Sequence, residues 1–488
     1  MDILIRVAQL LVSLSLLIVI HEFGHFMWAR LFGTRVEKFY MFFDTKFSIF
    51  RCKRLNDGKM HFKFFAPNVP DAYETIEGVD ENGKKKITYK QIDLDTLPED
   101  DWRRSDATEY GLGWLPFGGY VKIAGMIDES MDEAQMSLPA KPDEFRSKKP
   151  WQRLLVMVGG VLNNLIMAVI IYTGILYVWG EEYLPTENLK YGVVCDSTAL
   201  AAGLQNGDKI LTIDGQKVDK ATGIAAYIVL NGARTIQVER NGVNVEISLT
   251  DSVIKPILDG AAFVSPRFPF IAGGFAEESA AKVAGVEVGD RIVGIDTIET
   301  PFFDQFRAVV GNYKDTTVNL LIERNGARQA LQVAIPSTGM IGVAASTDNL
   351  FELRHVEYGL LESIPAGIKK SYAVAADYLK QFKLLVRPET KAYESLGGFI
   401  AIGKIFPTEW HWQTFWSLTG FFSIMLAVLN ILPIPALDGG HVMFTLYEII
   451  TRRKPSDKFL EYAQMIGLAL LFALLIYANG NDIVKLFR

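Results

Sequence analysis

Cysteine is almost missing from this 488-residue chain, with only Cys52 and Cys195 present. Two cysteines cannot build a disulfide framework, so the fold must rest on burial instead. Histidine is nearly as scarce, at six residues. Basic excess is also lacking: 50 Lys and Arg stand against 56 Asp and Glu, a net charge of −6 with no basic patch, and nothing points to a nucleic-acid partner. Charge of either sign is thin, at 22% against 49% hydrophobic content. A soluble protein of this length is rarely so apolar.

The apolar residues concentrate in four stretches free of Asp, Glu, Lys and Arg: Val7 to Ile20, Leu154 to Val178, Trp410 to Leu437, and Ala463 to Gly480. A bilayer core takes about 20 residues of helix. The first stretch reaches that length only if it runs on through Phe23, Phe26 and Trp28, which carries two histidines and a glutamate into the helix. A cleaved secretory signal is the alternative for this end, but no small-residue cleavage pattern follows Ile20. Orientation follows from the cytoplasmic excess of Lys and Arg near segment ends. Arg452, Arg453, Lys454 and Lys458 lie in the short connection after the third stretch and should be cytoplasmic. Four spans then leave both termini and residues 180–409 outside, with residues 29–152 inside.

The outer region repeats itself. Ala202-Gly203-Leu204, Gly207-Asp208, Ile210 and Ile213-Asp214 overlie Ala284-Gly285-Val286, Gly289-Asp290, Ile292 and Ile295-Asp296 at one constant offset. Each copy reads as a short helix ended by Gly, a Gly-Asp turn and a strand, with β-rich flanks. This pattern resembles tandem PDZ domains at 185–255 and 266–345, which bind chain ends by adding a strand to a sheet edge. Gly359 to Val386 suits an amphipathic helix on the membrane surface, within a segment 355–405. On the cytoplasmic side, Val36 to Phe50 and Tyr110 to Ala124 read as strands. Gly118, Gly119 and Tyr120 in the second would let a hairpin enter the membrane beside the site. Between them lies a polar insertion, 51–107.

The chemistry sits in His21-Glu22-Phe23-Gly24-His25. Histidines four apart lie on one helix face and can hold one metal, with a carboxylate alongside. With histidine this scarce, the pattern arises by chance in roughly one chain in a few hundred. Three ionisable side chains inside an apolar helix would cost several kcal/mol each without a purpose. Zinc with three protein ligands and one open position is the fitting centre, so a third ligand is needed. The third apolar stretch ends in Asn430-Ile431-Leu432-Pro433-Ile434-Pro435-Ala436-Leu437-Asp438-Gly439-Gly440-His441, where two prolines break the helix. Asp438 and His441 are both candidates by chemistry.

With these motifs and the repeat between them, the chain resembles the site-2 protease family of intramembrane metalloproteases. The resemblance implies a polytopic α-helical membrane protein with four transmembrane helices, a membrane-associated β hairpin and two periplasmic PDZ-like α+β domains. Its parts are 1–33, the cytoplasmic 34–150, 151–180, the two repeats, 355–405, 410–450 and 459–481. It implies one zinc ion held by His21, His25 and Asp438, Glu22 as catalytic base, and a bacterial inner-membrane location with the site near the cytoplasmic side. Asn430 is implied to hold the substrate backbone, and the Gly118-Gly119-Tyr120 strand to pair with it. The substrates implied are single-span membrane proteins already shortened by an upstream periplasmic protease, such as anti-sigma factors, and signal-peptide remnants, with the repeats as a size filter. Departures are Gly160-Val161-Leu162-Asn163-Asn164, where the family has Gly-Pro-x-x-Asn, and Phe399 after Gly397-Gly398. The competing readings are a membrane-anchored zincin acting on soluble chains and a non-catalytic PDZ scaffold.

Overall fold

The computed structural model describes residues 2–69, 73–79, 85–116, 118–126, 138–385 and 387–487. It divides into two compact units: Met1–Trp179 with Tyr358–Leu379 and Leu396–Arg488, and Gly180–Glu357 with Lys380–Ser395.

The first unit carries helices α1 (Asp2–Leu31), α2 (Pro150–Trp179), most of α3 (Leu360–Leu385), α4 (Phe399–Ile405), α5 (Trp412–Ile431), α6 (Asp438–Thr451) and α7 (Asp457–Leu486). Four of these, α1, α2, α5 and α7, are long and apolar enough to cross a membrane. Thirty residues of α1 make about 45 Å of helix, so residues 21–25 remain within a single continuous helix. Side chains such as Ile3, Leu4, Ile170 and Ile476 stand exposed. An apolar surface of this kind matches a lipid solvent.

Glycine decides where α1 and α2 cross. A Cβ on Gly24 would stand 2.2 Å from the Gly159 carbonyl oxygen, and one on Gly159 would stand 2.7 Å from that of Gly24. The two backbones touch, as small residues permit between membrane helices. Beyond α5 the prolines do what their sequence suggests. Pro433 and Pro435 end the helix, Ala436 takes a left-handed φ of 78°, and α6 restarts at Asp438. Gly439 is required there, since its Cβ would meet the Leu432 carbonyl oxygen at 2.1 Å.

The two strand segments expected at 36–50 and 110–124 build more than a hairpin. Strands β1 (Val36–Met41), β2 (Phe43–Arg54), β3 (Met60–Pro67), β6 (Glu109–Leu115) and β7 (Tyr120–Ile123) form one sheet in the order β3-β2-β6-β1-β7. Phe42, at φ 70°, splits Val36 to Phe50 into two strands, so β1 runs parallel to β6 and antiparallel to β7. β3 comes from the insertion, which also holds a hairpin of β4 (Tyr73–Val79) and β5 (Lys85–Gln91). Residues 70–72 and 80–84 of the insertion, Phe117 beside Gly118, and Val386 lie outside the described residues.

The second unit contains the repeat, and its anchor recurs with it. Buried Asp208 pairs with Arg240 at 2.7 Å and receives the Gln205 N–H; buried Asp290 pairs with Arg324 at 2.7 Å and receives the Glu287 N–H. Each arginine also donates to the glycine carbonyl that ends the short helix, Gly203 or Gly285. The Gly-Asp turn is thus tied to the distant strand Thr235–Arg240 or Thr317–Arg324. Each copy has its own apolar core, one around Ile213, Ile236 and Val238, the other around Ile295, Leu320 and Ile322.

Candidate metal centre and its cavity

His21 and His25 project from one face of α1 with ring centroids 4.9 Å apart. Both are buried, and the break between α5 and α6 brings Asp438 to them. Asp438 Oδ2 lies 3.1 Å from His21 Nε2 and 3.3 Å from His25 Nε2, and the two Nε2 atoms are 3.3 Å apart. These three lengths match the edge of a tetrahedron with about 2.0 Å metal–ligand bonds, about 3.3 Å. Asp438 Oδ2 is buried and makes no well-aligned hydrogen bond, meeting the two imidazole nitrogens as close ionic contacts. Three lone-pair donors converging on one point, with one left unsatisfied, is the arrangement a divalent cation completes. Two imidazoles and a carboxylate suit zinc.

Among the described residues this trio is the group of metal-ligating side chains gathered closely enough to hold an ion. His441, three residues on along α6, is not part of it, though it lines the same cavity. Glu22, between the two histidines in sequence, also lines that cavity, which has a volume of about 830 Å³.

The remaining candidates gather in its wall. Asn430, at the end of α5, places its side-chain amide 3.2 Å from His21 Nε2. Gly118, Gly119 and Tyr120 lead into β7, an edge strand of the sheet. A Cβ on Gly119 would stand 2.9 Å from Ile18 Cγ2 on α1, so glycine lets the strand lie against the helix that carries His21 and His25. Tyr120 does not present a free hydroxyl: it donates to Asp44 Oδ1 at 2.8 Å, with its ring stacked on Tyr40 and Phe43. Burial and the Asp44 carboxylate hold the Tyr120 hydroxyl far above the usual tyrosine range, so it stays protonated.

A model of peptidase family M50 matches residues 9–64 and 101–474, most of the chain. The chain belongs to peptidase family M50. Relatives agree over full length. The "Regulator of sigma E protease" of Haemophilus influenzae is 24% identical, with all of both chains covered. "Protease RseP" of Yersinia pestis is 25% identical, again over all of both. A Xylella fastidiosa protein named "Putative zinc metalloprotease" is 25% identical over 99% of each. Residues 65–100, unmatched by the family model, fall within the insertion.

The sequence marked Gly160 and Asn164 only as parts of a second-helix motif, not as the support behind His21 and His25. Gly160 of α2 packs directly on them, since a Cβ there would stand 2.5 Å from His25 Nε2 and 2.8 Å from His21 Nε2. Asn164, one turn on and fully buried, faces His21 Nδ1 at 3.2 Å. The Val156 carbonyl meets His25 Nδ1 at 2.8 Å. The Gly159-Gly160 pair and the adjacent amides Asn163 and Asn164 in an apolar helix were the available signals.

Proposed function

We propose that this M50 peptidase is a zinc-dependent endopeptidase that hydrolyses peptide bonds within membrane-spanning segments, near the cytoplasmic face of a bacterial inner membrane. The observation that carries the reading is the trio His21, His25 and Asp438 at tetrahedral spacing, set inside helices apolar enough to span a bilayer.

Zinc held there supplies Lewis acidity, which polarises the scissile carbonyl and makes water acidic enough to react near neutral pH. Glu22 accepts the proton of the attacking water as the new C–O bond forms, then delivers it to the amine nitrogen as the C–N bond breaks. Asn430 holds the substrate backbone beside the ligands. A helical substrate hides its amides in its own hydrogen bonds and must unwind. The outer edge of β7, entered through Gly118 and Gly119, offers the unwound segment a strand to pair with. The cavity's polar wall admits the water that hydrolysis consumes.

The substrates we favour are single-span proteins already cut outside by another protease, anti-sigma factors among them, and signal-peptide remnants. Support comes from the Haemophilus influenzae relative, which is named as a regulator of sigma E protease. The two repeats, read as periplasmic PDZ-like domains, would exclude uncut ectodomains. The zinc content and activity of Asp438→Asn test the centre. We expect metal to be lost together with cleavage, whereas full occupancy would return His441 to contention as third ligand.

A further inference from the structure

Resting on the metal-centre reading, we infer that Asn164 is the positioning residue for His21, and that it turns its side-chain oxygen, not its nitrogen, toward the imidazole. The two ligand histidines need the same tautomer: a lone pair on Nε2 for the cation, hence a proton on Nδ1. His25 has this fixed by backbone. Its Nδ1 sits 2.8 Å from the Val156 carbonyl oxygen, which can only accept.

His21 has no carbonyl in that place. Its Nδ1 faces the Asn164 side-chain amide at 3.2 Å. The two ends of an amide have the same shape and are exchanged by a half turn. With Nδ2 toward the ring, the amide would donate to Nδ1 and drive the imidazole proton onto Nε2, into the space between His21 and Asp438. In that orientation Asn164 Oδ1 is buried without a hydrogen-bond partner. With the amide turned, Oδ1 accepts from Nδ1–H and the Nε2 lone pair faces Asp438 and His25.

The amide is held where this choice matters. Ser423 of α5 donates to the Asn164 backbone carbonyl at 2.7 Å, and the neighbouring Asn163 donates to the Ile20 carbonyl of α1 at 3.2 Å. One residue of α2 therefore ties α5 to the imidazole on α1. A fully buried amide in an apolar helix costs several kcal/mol unless bonded. Orienting His21 is the bond that repays it, as partners behind ligand histidines do at zinc sites.

The test uses the full-length protein in detergent, stripped of metal and titrated with zinc against a chromophoric chelator. Asn164→Leu keeps the size and removes both polar ends, while Asn164→Asp keeps only acceptors. Asn164→Leu should weaken zinc binding about 10- to 100-fold, with Asn164→Asp within a few-fold of wild type. Wild-type affinity in Asn164→Leu would overturn the positioning role. Equal loss in both variants, with metal-free melting unchanged, would overturn the choice of oxygen. The ¹⁵N spectrum of histidine-labelled wild-type protein needs no variant: a proton on Nδ1 of zinc-loaded His21 is expected, and one on Nε2 refutes the inference. Failure of wild type to bind zinc would instead strike the metal centre itself, and this inference with it.

Discussion

Adding one methyl group at Gly160 should disable the metal centre while leaving the fold standing. The added Cβ would lie 2.5 Å from His25 Nε2, 2.7 Å from His21 Cε1 and 2.8 Å from His21 Nε2. Carbon and nitrogen in van der Waals contact sit about 3.5 Å apart, so the ligand edges must retreat by about 0.7 to 1 Å. Zinc sites hold their distances to about 0.2 Å, and a 1 Å misplacement near the chemistry costs about 100-fold. Overpacking adds about 1–3 kcal/mol of destabilisation, which a membrane helix of this length can absorb. Gly160→Ala should therefore weaken zinc binding and cleavage by about 100-fold or more, with melting lowered only modestly. Gly174→Ala in the same helix is the control, because nothing lies within 4 Å of its added Cβ. Zinc content and cleavage equal to wild type in Gly160→Ala would refute the claim that α2 packs on the ligands.

Stripping zinc with a chelator should abolish cleavage, and readdition of zinc should restore it; full activity in metal-free protein would contradict the assignment. Buried Arg153 of α2 pairs with Glu448 of α6 at 2.6 Å. Glu448→Ala leaves that guanidinium unpaired and should cost about 3–5 kcal/mol, more than the double change Arg153→Met with Glu448→Leu, as read from unfolding midpoints. In the second repeat, the Arg324 hydrogen bond holds the Asp290 carboxyl below the usual carboxylate range. A depressed carboxyl stabilises the fold above its unfolded value near 4, and that stabilisation fades as pH falls toward the lower folded value. Arg324→Ala should thus lower stability near neutral pH, with a smaller difference at pH 3, measured by hydrogen exchange across Thr317–Arg324. Deleting residues 185–345 should permit cleavage of a substrate with an intact ectodomain; an unchanged need for prior cutting would sink the size filter.

The parts of this architecture legible in sequence were those written in short range. Two histidines one helical turn apart and the Gly-Asp turns carry their geometry in their spacing, and the prolines after Leu432 announce a helix break. The choice between Asp438 and His441 was less legible, because both stand at the start of one helix. It depends on the turn that Ala436 and Gly439 impose, which aims residue 438 at α1. The sheet was hidden for another reason. Nothing in Val36 to Phe50 but a single left-handed residue, Phe42, marks the split into β1 and β2, and phenylalanine is a poor turn signal. β3 joins from an insertion whose composition reads as surface. Gly160 and Asn164 could be seen in the sequence, but their contacts with His21 exist only once α1 and α2 cross at Gly24 and Gly159.

The central claim is that Glu22 drives hydrolysis within the bilayer. It is met most directly by incubating purified protein with a single-span substrate in vesicles and mapping the cut bond by mass spectrometry. Wild type should cut inside the apolar span, and Glu22→Gln should retain its zinc yet leave the substrate whole. Cleavage by Glu22→Gln at the wild-type rate, or a cut confined to residues outside the membrane, would contradict the account.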